Sequence, residues 1–350
     1  MVDSVDTGKS KFDKEGSSGE YPILGSTSVI GYDDEYDYEG DFILTARVGA
    51  NAGSLYRHAG KVKISDNTVF IQASQNIEFL YQLLTRFDIK KLSFGTGQPL
   101  VKASELKSLE LMMPTNMKEQ MRIGAYFNQL DHLITLHQRK CEETKKLKKY
   151  MLQKMFPQNG QTVPEIRFAG FTDAWEQRKL SELLYLSSER NDGSYTRDDV
   201  LAASLGTELQ KKHIYFGLRA TDESVKNYKV VLPNDVIYTK SPIKGFPNGI
   251  IRTSKGENGI VPTLYCVYHS VDVINPSIIQ AYFESKERLD AYLVPLVNIG
   301  ARNNVNITDK EFLDGSLCIP KDKDEQDKIV NVLERLSNLI TLHQRKNIYF

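Results

Sequence analysis

Arginine, asparagine and glutamine can make paired hydrogen bonds to purine edges, and in this chain they gather in glycine-rich loops. Arg47 and Asn51 lie in ILTARVGANAG, Thr96 and Gln98 in SFGTGQPL, and Arg302, Asn303 and Asn304 in NIGARNNVN. A fourth group, Lys240, Lys244, Asn248 and Arg252, interleaves with Tyr238 and Phe246. Lys61, Lys63, Lys90, Lys91, Lys211 and Lys212 run beside these groups, where ammonium groups could rest on phosphates. Such side chains suit the reading of a polyanion through its edges and its charge.

Side chains that break bonds are harder to assemble from the sequence. The six histidines are dispersed and none stands in an HExxH pattern, so no catalytic zinc is expected. The three cysteines, Cys141, Cys266 and Cys318, form no CxxC pair, which argues against structural zinc and disulfides and fits a reducing, cytoplasmic setting. There is no phosphate-cradling GxxxxGK[ST] or GxGxxG after a strand, and no GxSxG elbow. Asn275-Pro276-Ser277-Ile278 has the asparagine and proline of an amino-methyltransferase motif without its flanks. No bound cofactor is expected, and the chain reads as non-catalytic.

Formal charge balances at 45 basic against 45 acidic residues, but its distribution is uneven. Residues 1–43 hold eleven acidic and three basic side chains, residues 44–107 nine basic and four acidic, and residues 209–256 nine basic and three acidic. The two basic segments contain most of the loop residues named above. No apolar run approaches the roughly 20 residues needed to cross a bilayer, and the polar N-terminus is not a signal peptide.

The elements that must carry these loops are organised by a duplication. LITLHQRK occurs at 133–140 and at 339–346, and the match extends upstream without a gap. Fifteen of 36 positions are identical between 105–140 and 311–346, including Pro114/Pro320 and Glu119-Gln120/Glu325-Gln326. Each copy reads as a short strand (109–113; 316–319), a proline that ends it, and a long helix. Apolar positions then step by four and three: Ile123, Phe127, Leu130, Ile134 and His137, then Ile329, Leu333, Leu336, Ile340 and His343. That spacing predicts a coiled-coil seam, with the equivalent histidines as polar positions that fix register. In the first copy the helix is expected to run from about 119 to 156, about 57 Å.

Between the helices, Asn159-Gly160 and Pro164 mark a linker, and Trp175 opens a second globule rich in short strands and turns. The fold class is therefore α+β: two mixed α/β domains, each followed by a long helix. The boundaries are 1–113 for the first domain, 114–157 for the first helix, 158–174 for the linker, 175–319 for the second domain and 320–350 for the second helix.

The pattern Pro-x4-Glu-Gln-x2-Ile before an apolar helix resembles the repeated regions of type I restriction-modification specificity (S) subunits, the HsdS family. So do Trp175-Glu-Gln-Arg-Lys-Leu180 and GEYPILGSTSVIGY with ILTARVGANAG, and the likeness covers nearly the whole chain. The resemblance implies two target-recognition domains held apart by two antiparallel helices with pseudo-two-fold symmetry. Each domain would read one half of a bipartite double-stranded DNA site. The helices would set the spacer and dock two modification (methyltransferase) subunits, which carry S-adenosylmethionine, and through them the restriction (motor-nuclease) subunits. No WEQRKL-like opening precedes the first domain, and the second helix lacks the continuation ETKKLKKYMLQKMFP, so both are expected to be shortened. Two other readings stay open: a scaffold of two protein-binding domains, and a DNA methyltransferase without recognisable motifs.

Overall fold

The computed structural model describes residues 2–11, 18–93, 99–158, 160–203, 210–211, 221–256, 258–296 and 307–346. By contacts the chain divides into two compact units, residues 1–135 and 136–350. No helix among the described residues is long and apolar enough to cross a membrane.

The first unit contains β1 (Ser4–Thr7), β2 (Tyr21–Leu24), β3 (Val29–Asp33), β4 (Tyr38–Ala46), β5 (Leu55–Ile64) and β6 (Thr68–Gln72), then α1 (Ile77–Phe87) and α2 (Ala103–Lys107). The strands form one sheet in the order β1-β6-β4-β5-β2-β3. β4 is buried from Phe42 to Ala46 because both of its faces are covered. Phe42 and Leu44 pack with Leu24, Val62, Ile64 and Phe70 on one face. Ile43 on the other face packs with Val69, Ile71 and the α1 leucines Leu80 and Leu84. A strand covered on both faces reads as a continuous apolar run, here FILTA.

α3 (Met117–Lys154) is one unbroken helix, and it starts two residues before the position expected from the spacing. Within the first unit it lies close against α1, where a Cβ on Gly124 would meet the Phe79 backbone nitrogen at 2.6 Å. Gln82 Nε2 donates to Asp131 at 2.8 Å and Arg57 to Asn128 at 2.9 Å.

The second unit continues with β7 (Glu176–Lys179), β8 (Leu184–Leu186), β9 (Leu201–Ala202), β10 (Gln210–Lys211), α4 (Asp222–Val225), β11 (Lys229–Val231), β12 (Val236–Thr239), β13 (Ile250–Thr253), β14 (Gly259–Val261), β15 (Tyr265–Ser270), α5 (Pro276–Phe283), α6 (Lys286–Leu293), β16 (Ser316–Ile319) and α7 (Lys323–Lys346). Its main sheet runs β13-β12-β15-β8, with β11-β14, β9-β10 and β16-β7 as separate pairs. The stretch 277–293 forms two helices rather than one, because Ser285 Oγ accepts from the Arg288 N–H and caps α6. Asn275 likewise caps α5, accepting from the Ser277 N–H at 2.9 Å with Pro276 as first residue, so its asparagine-proline pair has a structural use. Leu152, Met155 and Phe156, at the end of α3, enter the core of this unit beside Trp175.

The two copies of the repeat share one corner and differ around it. In both, the glutamine amide donates back to the proline carbonyl: Gln120 to Pro114 at 2.7 Å and Gln326 to Pro320 at 2.8 Å. Each glutamine oxygen accepts from the asparagine preceding the neighbouring helix, Asn76 Nδ2 at 3.2 Å and the Asn275 N–H at 2.9 Å. The neighbouring glutamates part company. Glu325, 1% exposed, takes both Nε and Nη2 of Arg167 and the Trp175 indole N–H. Glu119 is exposed and makes no ion pair among the described residues. Ser316–Ile319 is a strand because it pairs with Glu176–Lys179. The strand expected at Leu109–Met113 is absent: no described segment pairs with it, and Met112 is 95% exposed.

The seam is composite. Ile329 and Leu333 are buried in their own unit's core with Ile278, while Phe127 is half-exposed. Further along, α7 meets α3: the His137 and His343 Nδ1 atoms lie 3.1 Å apart, and the Cys141 thiol points to the Ile340 carbonyl at 3.9 Å. Four residues forward on α3 match three back on α7, so these segments are antiparallel. Their local two-fold passes between imidazoles that are 206 positions apart, the offset of the repeat itself.

Removing one partner of a buried ion pair strands the other, at a cost of about 3–5 kcal/mol. Glu325→Ala is therefore expected to lower unfolding free energy by about 3 kcal/mol in denaturant titration, whereas Glu119→Ala, at an exposed position, should stay within about 0.5 kcal/mol. Equal effects would disprove the difference between the copies.

Candidate nucleic-acid interface

The two units present topologically matching loops. In the first, residues 47–54 join β4 to β5 at the centre of the sheet; in the second, residues 240–249 join β12 to β13, the terminal strand, and both pairs are antiparallel neighbours. Each loop closes on a glycine with positive φ, Gly53 (+83°) and Gly249 (+82°). These glycines also permit close approach. A Cβ on Gly53 would meet the Lys90 nitrogen at 2.6 Å, and one on Gly249 the Thr239 oxygen at 1.7 Å.

At the first loop the backbone gathers several predicted residues. The Gly49 N–H donates to Pro99 at 3.1 Å, and the Val101 N–H donates to Arg47 at 2.8 Å. Arg47, Asn51, Lys90 and Lys91 are exposed, so two loops and the segment beginning at Pro99 present cations and an amide at one end of the sheet. Thr96 and Gln98 fall outside the described residues. Lys61 and Lys63 do not join them. They sit near the other end of β5, where Lys61 is opposite Glu39 and its ammonium lies 4.8 Å from the Tyr36 ring centre. Lys63 is 2.8 Å from Asp33, and this bond holds the Asp33 carboxyl below the usual carboxylate range.

At the second loop Lys244 is exposed on the turn, while its neighbours are tied inward. Lys240 donates to the Ile307 carbonyl and lies 3.1 Å from Asp309, a carboxylate it shares with Lys229. Burial alone would push the Asp309 carboxyl up, but hydrogen bonds from Lys229, the Cys266 thiol and Lys240 hold it low. Asn248 donates to Asp290 at 2.7 Å, and its carbonyl accepts from the Tyr238 hydroxyl. Arg252 is 3% exposed, with Nη1 bonded to the Ile251 carbonyl and 3.7 Å from Glu284. Burial lowers the Arg252 pKa. The fold thus accounts for Lys240, Asn248 and Arg252, and leaves Lys244 facing water. Lys212, Arg302, Asn303 and Asn304 lie outside the described residues, as does the side chain of Lys211, whose backbone belongs to β10.

One set of residues escaped the sequence reading. Leu133, Leu136, Leu339 and Leu342 occupy equivalent places in the two octapeptides and are between 37% and 49% exposed. They fall one position before and two positions after the seam isoleucines, so they form a second apolar stripe that the 4-3 count passes over. Among the described residues, no group of three His, Cys, Asp or Glu side chains is placed to hold a metal ion.

The chain is similar to several known proteins. Residues 3–146 match the family model described as the type I restriction modification DNA specificity domain. A 115-residue stretch is 26% identical to the type I restriction enzyme EcoprrI specificity subunit of Escherichia coli. The match takes in 32% of this chain and only 28% of that relative's length. The crystal structure of a type I restriction-modification system S subunit from M. genitalium superposes with a TM-score of 0.65 at 14% identity, covering 99% of this chain and 90% of that one. At that identity the likeness establishes a common fold.

An alanine methyl at Gly53 or Gly249 meets both positive φ and backbone contact. Gly53→Ala and Gly249→Ala are each expected to cost about 2 kcal/mol in thermal unfolding and to speed amide exchange in the adjoining loop. Neutral substitutions would show that the loops are not closed as described.

Proposed function

We propose that the chain is the specificity subunit of a type I restriction-modification complex, a reading supported by the match of residues 3–146 to that DNA specificity domain. Domain 1–113 reads one half of a bipartite site through the 47–54 loop and its flanking lysines, and domain 175–319 reads the other through the 240–249 loop. The observation that carries this reading is that each of two units presents a loop between adjacent antiparallel strands, closed by a positive-φ glycine, Gly53 and Gly249. Arg47 and Asn51 supply base contacts, while Lys90, Lys91 and Lys244 settle on phosphates. The antiparallel helices keep the half-sites at a fixed separation, on the order of one DNA turn.

The chain itself contributes recognition and leaves chemistry to its partners. Two modification subunits, holding S-adenosylmethionine, dock on the exposed leucines of the repeat, and the motor-nuclease subunits join through them. Exposed leucines at equivalent positions of a helix pair suit two copies of one partner, since symmetry offers each the same patch.

The test uses the complex assembled with its modification subunits and a DNA library with two randomised half-sites. Arg47→Ala is expected to weaken binding about 10- to 100-fold and to relax one half-site only. Lys244→Ala should weaken binding to all sequences and reduce the salt slope by about 1. Leu136→Asp with Leu342→Asp should abolish assembly while leaving the fold intact by circular dichroism. Tolerance of any spacer length would overturn the proposal.

A further inference from the structure

The β3 edge of the first sheet has a different character from the 47–54 loop. Between Ser18 and Ala46 the sequence carries seven carboxylates and no lysine or arginine. Glu20, Asp34, Glu35, Asp37, Glu39 and Asp41 are all exposed. The two lysines nearby relieve little of this charge, since Lys63 is engaged by Asp33 and Lys61 sits over Tyr36. Among the same residues stand exposed apolar groups: Val29, Ile30, Tyr32 and Tyr36, each between 37% and 45% exposed. Three of these four lie on β3, the terminal strand of the sheet, which pairs with β2 and with no other strand among the described residues.

An edge strand presents unpaired backbone donors and acceptors, and proteins usually protect such edges with lysine, proline or a bulge. Here the edge carries valine, isoleucine and tyrosine, which favour further pairing, ringed by carboxylates that repel any polyanion. We propose that β3 is a docking edge for an extended, lysine- or arginine-bearing segment of another protein, which adds as a strand beside Val29–Asp33. Backbone hydrogen bonds would supply the pairing, Val29, Ile30 and Tyr32 the apolar contact, and Asp34, Glu35 and Asp37 the selection for cations. The β2–β3 turn adjoins Arg47, since Ser26 Oγ and the Arg47 N–H both donate to the Asn67 carbonyl, but the free edge of β3 is a different surface and the proposal stands whether or not the DNA-reading proposal holds.

The full chain is titrated with a fluorescent decapeptide of alternating lysine and valine, with a glutamate-valine peptide and a backbone N-methylated lysine-valine peptide as controls. Binding is expected for the first alone, together with slowed amide exchange across Val29–Asp33. Asp34→Lys combined with Glu35→Lys should weaken it at least tenfold, and Ile30→Asp should do the same although it makes the edge more acidic. The half-site preference of the assembled complex should be unchanged in both variants, which separates this proposal from the recognition function. Equal binding of the N-methylated peptide, equal binding by the variants, no binding at all, or a preference of this edge for duplex DNA would each overturn it.

Discussion

The architecture turns on a buried glutamine used twice. Gln120 and Gln326 each donate across six residues to a proline carbonyl and accept from the asparagine preceding the next helix of the same unit. An amide with both ends satisfied inside a low-dielectric corner is fixed in orientation, because rotating it would leave two buried groups without partners. The first turn of the long helix is thereby tied to the strand-ending proline on one side and to α1 or α5 on the other. The direction in which α3 and α7 start from their corners is set at this point. A coiled-coil contact can hold its register only if that departure angle is held too.

Around this common corner the copies have diverged in a physically intelligible way. In the second, Glu325 closes a clamp with Arg167 and Trp175, and β16 finds β7. In the first, the corresponding glutamate faces water and the corresponding strand is missing. These two differences have one origin: Arg167, Trp175 and β7 belong to a single stretch, 167–179, and nothing among the described residues plays its part in the first unit. Losing one strand partner thus removes both a ladder and the shelter that makes a buried carboxylate tolerable.

Much of this organisation was legible in the sequence, for reasons particular residues make plain. Identity at Pro114/Pro320 and Gln120/Gln326 survives because those side chains do the same work in both copies. The start of α3 was within two residues of expectation, since proline, polar turn and apolar stepping all mark it. The neighbours of the apolar positions were not legible. Ile329 and Leu333 go into their own core while Ile340 meets α3, and a 3.5-residue period encodes a face without naming what covers it. Charge was legible only as a count: Lys240 is matched by Asp309, 69 residues away, and Arg252 by Glu284, pairings that no local spacing reveals. Of the candidate interface, the loops could be found from their glycines and amides, but not which cations remain free.

The charge that does remain free is arranged along β4. From Glu39 to Ala46 the strand advances about 24 Å at roughly 3.4 Å per residue, with carboxylates gathered at one end and Arg47 just beyond the other. At physiological salt exposed charges are screened over about 8 Å, so the two ends act independently at contact distance. On the proposed reading, the gradient would turn an approaching polyanion toward Arg47, Asn51, Lys90 and Lys91 before contact. A sheet charged evenly along its length would not orient such a ligand. The acidic end thus gives the first unit an electrostatic direction, and the positive-φ glycine at the basic end holds the 47–54 loop in one conformation.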